Sequence, residues 1–485
     1  MKTKNYFTRI ASALFLLFAM NISANNVQIT GTSVSGNDIT FSISWDNSWN
    51  ASVAPNNWDA VWVFVKFQDC NTRLWAHTDL STFAGDHATG APLQADVVTD
   101  GKGVFLRRSA IGGGNITNVS VTLKMTGLGA GPYNFKVFGI EMVNVPQGAF
   151  DLGDGVSVST YNSISVTATS QSSGLSSAVI GGGSAAVPAT FPMGYNSFYA
   201  MKYEISQQQY VEFLNALTYD QQAAHTFNDP ISAAGTYAMF NGYSYRNGIR
   251  ISVPGNNAAI PAVFVCDATP GVEDNNDDGQ ATACTGLSYS DVAAYLDWAA
   301  LRPMTEMEFE KLARGTAPRL ANEYVWGTTD IFQVYSYNAG LINALQPNET
   351  FTPATNGACA TGIGSGSGIY GPLKVGVFAT GTSGRASAGA GYYGCMELGG
   401  NAAERVVITN NTSGTAFNGT VGDGTISALG LANQATWPSP TTATGIGFRG
   451  GDYLNAAARV RTSDRANVTT VDAARSYYYG GRGVR

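Results

Sequence analysis

Leu301-Arg302-Pro303-Met304-Thr305-Glu306-Met307-Glu308-Phe309-Glu310, running on to Ala313-Arg314-Gly315, carries the most legible local structure in the chain. Arg302-Pro303 closes one segment, because the residue before a proline is pushed out of the helical region. Thr305 offers its hydroxyl to the backbone of the next turn, and Glu308, three residues on, can reach back to it, a reciprocal capping box. Met307, Leu312 and Ala313 recur at helical spacing, and Gly315 supplies the stop. The stretch predicts a helix that begins at Thr305 and ends at Gly315.

Working upstream, Ser206 with Gln209 caps a helix bearing Tyr210, Phe213 and Leu214. Another runs from about Ser290 through Ala293, Leu296 and Trp298. Beyond residue 330 helical periodicity all but vanishes, and glycine and asparagine punctuate the chain. Such a region satisfies its backbone polar groups through loops, side chains, water or ions. Residues 156–190, rich in Ser, Thr, Ala and Gly, read either as a linker or as a long surface loop of the next domain. Residues 25–140 read as all-β. Ile39, Phe41, Ile43 and Trp45 alternate with polar partners, as do Val119, Val121, Leu123 and Met125, and Val61, Val63, Val65 and Phe67 are read in the same way. A period of two puts each set on one strand face. Spacers such as Gly112-Gly113-Gly114-Asn115 and Gly129-Ala130-Gly131-Pro132 separate them, and the pattern predicts an antiparallel β-sandwich. The fold class expected is α+β.

The chain has 485 residues, of which 13% are charged, with a formal net charge of −7. No Lys/Arg run provides an electrostatic footprint for nucleic acid. Lys2, Lys4 and Arg9 precede an apolar run from Ile10 to Met20, too short to span a bilayer, and Ile22-Ser23-Ala24 offers small residues for cleavage. Residues 1–24 therefore read as a signal peptide, and the mature chain as secreted, periplasmic or at the cell surface, with no membrane span. Five cysteines remain, an odd number. Cys266 and Cys284 flank one polar loop, and export permits a disulfide between them. His77 and His87, in loop-like sequence, read as ordinary surface residues.

Several blocks, in this order, resemble the formylglycine-generating enzyme (sulfatase-modifying factor) family. They are Met142-Val143-Asn144-Val145-Pro146-Gln147-Gly148-Ala149-Phe150 and Lys202-Tyr203-Glu204-Ile205-Ser206, followed by Leu287-Ser288-Tyr289-Ser290-Asp291 and the Arg302–Gly315 stretch. Then come Tyr324-Val325-Trp326-Gly327, Gly400-Asn401-Ala402-Ala403-Glu404, Phe448-Arg449-Gly450-Gly451-Asp452-Tyr453 and the closing Gly481-Arg482-Gly483-Val484-Arg485. The match spans about residues 141–485 and implies a loop-rich variant of the C-type lectin fold. A fold does not by itself declare an activity.

The family's oxidase chemistry implies two cysteines near the Arg449-Gly450-Gly451 block, whose thiolates hold copper, a pairing of soft ligand with soft ion. Here the first position falls at Asn455 and the second near Ala457, and no cysteine occurs after Cys395. Neither an amide nor a methyl group replaces a thiolate, so the domain reads as a pseudoenzyme. Cys395 stands where the family has a buried leucine and reads as a small core residue. A related branch holds iron with histidines; the domain has only His225, so neither copper nor iron is expected.

Two places could hold structural Ca²⁺. Asp274, Asn276 and Asp278, with Gly279, place oxygen donors at alternate positions, although Thr285 stands where an EF-hand has Glu. The alternative is a solvated acidic loop. Asn401 and Glu404 lie in the block where the resemblance implies a calcium site. In lectin-like relatives the final segment carries the ligand contacts. It offers Asp452, Tyr453, Asn455, Asn467, Tyr477 and Tyr478, either as contact residues or as packing. Arg459, Arg461, Arg465 and Arg475 read as ion-pair partners for acids such as Asp464 and Asp472. The expectation is a non-catalytic binding or assembly protein for a protein or glycan ligand, self-assembly included, as in bacterial gliding-apparatus lipoproteins that carry similar domains. The alternative is a metal-dependent oxidoreductase with a non-standard site.

Overall fold

The computed structural model describes residues 26–256, 260–269, 271–334, 340–352, 355–362 and 369–485, so the signal peptide expected at 1–24 lies outside the described residues. The N-terminal strands are β1 (Gln28–Ser35), β2 (Asp38–Asn50), β3 (Asp59–Asp69), β4 (Trp75–Leu80), β5 (Ala88–Thr89), β6 (Leu93–Val97), β7 (Val104–Arg108), β8 (Gly112–Thr126) and β9 (Tyr133–Val145). β1, β2 and β8 form one antiparallel layer, with β5 added to β8. β3, β7 and β9 form the other, with β6 at its edge, and β4 joins the layers by pairing with both β3 and β8. Ile39, Phe41, Ile43, Val61, Val63, Val65, Val121 and Leu123 fill the space between them and are excluded from water.

The strand faces of β3 depart from the sequence reading. Its intervening residues Ala60, Trp62 and Phe64 are not polar and not exposed; they are as buried as the valines. The unbroken run Ala60-Val61-Trp62-Val63-Phe64-Val65 is the mark of a strand covered on both faces. Its outer face packs on the C-terminal region. Phe64 stacks on Phe138 at 5.2 Å and meets the edge of Trp298 at 5.2 Å, while Trp62 Nε1 donates to Ala299 O at 2.9 Å.

The boundary expected at residue 140 likewise falls inside β9. After β10 (Phe150–Leu152) and β11 (Ile164–Val166), β12 (Phe198–Met201) pairs antiparallel with the end of β9. The terminal strand Gly483–Val484 then pairs with β12 and with Arg302–Pro303. One sheet thus runs from the sandwich into the C-terminal region. Residues 156–190 are a packed loop of that region, with helices α1 (Ala168–Ser173) and α2 (Ser177–Ile180) and with Tyr161, Ile180 and Val187 buried.

The capped helices form as their sequences dictate. They are α3 (Gln207–Leu214) with its Ser206–Gln209 box, α5 (Tyr289–Trp298) with Ser288 and Asp291, and α6 (Glu306–Arg314) with Thr305 and Glu308. Between the first two lies α4 (Tyr219–His225), capped by Thr218 and Gln221, which sequence reading passed over. The acids of α6 do more than cap. Glu308 receives both Nη atoms of Arg302, at 2.9 and 2.7 Å. Glu306 accepts from Arg465 at 2.7 and 3.0 Å and from Arg449 at 3.3 Å; Glu310 accepts from Arg449 at 3.0 Å and Arg314 at 3.1 Å. Burial would raise the Glu306 pKa, but the Arg465 and Arg449 charges win and bring it to about 2. Of the expected pairings with nearby acids, Arg459 does meet Asp464 at 3.2 Å, whereas Arg475 reaches Asp291 at 2.8 Å and Arg465 reaches Glu306.

The expected disulfide does not form. Cys266 and Cys284 are both free and buried. Cys266 sits on the strand Val263–Cys266, paired with Ile249–Val253, and its Sγ faces Gln208 Oε1 at 3.8 Å. Cys284 is held elsewhere, its backbone N donating to Ile205 O at 2.7 Å.

Candidate functional site

The C-terminal segments meet in a pocket of about 320 Å³ walled by the three-stranded sheet of Ala403–Val407, Ile446–Arg449 and Tyr479–Gly480. Phe448 stacks on Tyr479 at 4.2 Å, and the Tyr479 hydroxyl donates to Asp472 Oδ2 at 3.0 Å. Arg405 lies 4.9 and 4.7 Å from these two rings, which stiffens the wall.

The chain enters the pocket through Gly450-Gly451. Gly450 has φ +78°, and a Cβ there would lie 2.3 Å from Leu398 O, so only glycine fits. Asp452 comes next, 5% exposed. Its Oδ1 accepts from Leu454 N at 2.8 Å and its Oδ2 from Asn455 Nδ2 at 2.7 Å. Burial outweighs these hydrogen bonds and pushes the Asp452 carboxyl up to about 6. With its amide nitrogen held by Asp452, Asn455 is left with a buried Oδ1 that has no partner among the described residues. That atom accepts hydrogen bonds; it is neither a nucleophile nor a soft metal ligand. Ala457, near the other position of interest, begins a 3-10 turn through Val460.

Of the residues singled out in the sequence, Asp452, Asn455, Asn467 and Tyr478 come together here, joined by Leu454, Thr470, Phe448 and Ala403. Tyr478 meets the edges of Tyr477 at 4.9 Å and Tyr479 at 4.6 Å. Tyr453 is not a contact residue: it is fully buried and its hydroxyl donates to Tyr477 O at 3.1 Å. Tyr477 turns away as well, stacked on Tyr245 at 4.1 Å. Tyr453 thus takes the packing role, the second of the two the sequence left open, while Tyr477 stays half-buried outside this pocket. Leu454 was missed because an apolar residue beside an acid reads as core; it is 37% exposed.

Among the described residues no group of three or more His, Cys, Asp or Glu side chains is placed to hold a metal. In the acidic loop, Asp278 is buried and spends both oxygens inward, accepting from Thr269 N and Oγ1 at 3.0 Å and from Asn275 N at 2.8 Å. Asp274 Oδ1 caps Cys266 N at 2.9 Å, and Asn276 lies exposed. These donors satisfy the loop's own backbone and do not fit a calcium cage. Asn401 Oδ1 accepts from Leu373 N at 2.7 Å, and Glu404 Oε1 accepts from Arg482 at 2.8 Å. A divalent ion on Glu404 would face that guanidinium, although Glu404 Oε2 is buried without a partner among the described residues. His225 is wholly buried, bonded to Asp291 at 2.9 Å and Gly430 O at 2.7 Å.

A family model described as sulfatase-modifying factor enzyme 1-like domain matches residues 139–485. Among solved structures, Treponema denticola variable protein 1 is similar at 13% sequence identity, with 72% of this chain and 95% of that chain covered and a TM-score of 0.32. No curated protein matches the chain.

Proposed function

The chain belongs to the sulfatase-modifying factor family, and we propose that within it this protein is an exported, non-catalytic binding or assembly protein whose C-terminal pocket receives a protein or glycan ligand. The observation that carries this reading is Asn455, oriented by Asp452 and presenting an unpartnered carbonyl oxygen at the position where the family resemblance implies the first thiol. Around it stand half-buried Asn467 and Tyr478, residue types that give hydrogen-bonding reach and rigid amphipathic area at little entropic cost. No free cysteine lines this pocket among the described residues: Cys395 Sγ points at Met201 O and Cys359 Sγ at Gly399 O.

The purified mature chain, screened on a glycan array and against purified envelope proteins, is expected to bind a restricted set of ligands. Tyr478→Ala should weaken that binding by about 5- to 100-fold, the range for losing a central aromatic anchor, with the melting temperature nearly unchanged. Binding that survives both Tyr478→Ala and Asn455→Ala would place the ligand elsewhere and overturn the assignment.

The fold is also expected to stand without calcium. The melting temperature in excess EDTA should match that in millimolar Ca²⁺, because a cation bound to the native state adds stability by mass action. A clear drop on chelation would restore a structural calcium site.

A further inference from the structure

A cleft of about 380 Å³, sharing no lining residue with the C-terminal pocket, opens where the β2–β3 turn meets residues 379–396. Its volume falls within the range of small-molecule sites, about 300–1,000 Å³. Trp49 and Pro55 form one side, Tyr392, Tyr393 and Met396 the other, and Lys202 with Tyr203 the floor. The two sides are fastened together. Asn57 donates to Asn144 O at 3.0 Å and to Tyr393 O at 2.9 Å, and accepts from Trp49 Nε1 at 3.3 Å. The Trp49 ring also lies against Gly394, where a Cβ would come within 3.1 Å of it. The aromatic walls are therefore preformed.

The charge of the lining is unlike that of the chain. The protein carries a net charge of −7, yet no carboxylate lines this cleft, while two cations do. Lys202 Nζ is held by Glu141 Oε2 at 3.0 Å, with the Trp49 and Tyr203 rings 5.1 and 5.2 Å away. Arg385 is different. Its Nη2 donates to Ala313 O at 2.6 Å and Val325 O at 2.9 Å, but its Nε has no partner, and among the described residues no carboxylate pairs with it. Glu323 acts on this guanidinium only from beyond ion-pair distance, so a partly buried fork with no carboxylate in contact suits an incoming carboxylate. Tyr392 lies 5.3 Å beneath that guanidinium, so the anion would sit beside an aromatic face. Half-buried Trp49 and Tyr392 present flat apolar area, and Asn47, Thr380 and Ser383 place amide and hydroxyl groups at the rim.

We propose that this cleft is a second binding site, separate from the C-terminal pocket, and that it takes a carboxylated sugar. A pyranose ring has apolar C–H faces for the aromatic walls, hydroxyls for the polar rim and a carboxylate for Arg385. A purely apolar ligand would leave the guanidinium uncompensated, which is costly once water is displaced.

The test is a calorimetric titration of the full mature chain with galacturonic acid, with trigalacturonate and with the neutral sugars galactose and maltotriose. Saturable binding of an acidic sugar, about tenfold or more tighter than its neutral counterpart and weakening with salt, is the expected result. Preference for the trimer would assign the site to a polymer, and equal affinity for the monomer to a free sugar acid. Arg385→Gln should cost about tenfold or more. Ala51→Trp, which fills the cleft without touching Arg385, should abolish binding. Tyr478→Ala should leave it unchanged, so failure here is distinguishable from failure of the C-terminal assignment. No saturable binding, equal binding of neutral sugars, competition by acetate at matched concentration, or retention in both cleft variants would each overturn the proposal.

Discussion

Replacing Glu306 with alanine is expected to lower stability by about 3–5 kcal/mol, the cost of breaking a buried ion pair from one side. Glu306 is fully buried, and its carboxylate is the shared acceptor of Arg465 and Arg449. It also takes Thr409 N at 2.7 Å and Thr409 Oγ1 at 2.9 Å. Alanine would strand the buried Arg465 guanidinium, which also ties Ser159 O and Gly182 O into the same hub, and would leave Arg449 with Glu310 as its one carboxylate. Against the about 5–15 kcal/mol that folded proteins hold in total, such a loss is a large fraction and should lower the urea midpoint clearly. Glu306→Gln, which keeps the shape and removes the charge, should fall between. Urea titration of the three proteins is the measurement, and a variant within about 1 kcal/mol of the parent would show that the hub is dispensable.

The same residue sets a slope at low pH. Its carboxyl titrates at about 2 in the folded chain, against an ordinary value of 4.5. The folded state therefore binds fewer protons than the unfolded state between these values. The stabilisation is fully present above about pH 4.5 and is lost as pH falls towards 2. Asp59 and Asp452, pushed up to about 6, and Glu397, pushed up to about 7, act in the opposite sense. Each holds a proton in the folded chain that the unfolded chain has already released, so each costs stability as pH rises from about 4 to 7. Glu306→Gln should flatten the acid limb and leave the neutral one.

Trp298→Ala is expected to cost about 3–5 kcal/mol, the usual range for emptying a large buried aromatic site. The ring meets Phe64 at 5.2 Å and Phe138 at 4.9 Å on the sandwich, and Phe213 at 5.5 Å on α3. Lys66 Nζ lies 4.8 Å above it and donates to Trp298 O at 2.7 Å. Burial holds the Lys66 pKa well below the usual lysine range, because the dry contact that the ring maintains disfavours the charged amine. Because the contact and the continuous sheet join the two halves, thermal unfolding should be a single transition in the parent and a single, lower one in the variant. Two transitions, of which only one moves, would show that the sandwich folds independently.

The Arg302–Gly315 stretch was legible because each feature was local: a proline, a reciprocal cap and a glycine stop all act within a few residues. The same holds for the helix capped by Ser206, whereas the helix read from about Ser290 was legible by its apolar spacing and its Ser288 cap emerged only in the structure. What sequence could not supply was the far partner of each charged residue. Nothing local to Glu306 and Glu310 names a partner, and only the return of Arg449 and Arg465 from much later in the chain turns them into a hub. The division near residue 140 lies beside the start of the family match at residue 139, yet no break in the sheet marks it. Composition changes near there, but β9 is a continuous strand whose second edge pairs with β12. At the site, Asp452, Asn455, Asn467 and Tyr478 were found because polar and aromatic residues cluster after the glycine pair. For Tyr453 and Tyr477 the sequence left contact and packing open, because a tyrosine's chemistry suits a wet surface and a dry core equally.

The central claim is that this family fold carries a hydrogen-bonding pocket in place of a thiol centre. Its most direct test is to load the purified mature chain with Cu(I), remove the excess, and track a cysteine-containing sulfatase peptide by mass spectrometry under oxygen. Retention of well under one copper per chain, with no formylglycine above the protein-free control, is the expected result. Stoichiometric copper with catalytic turnover of the peptide would contradict it.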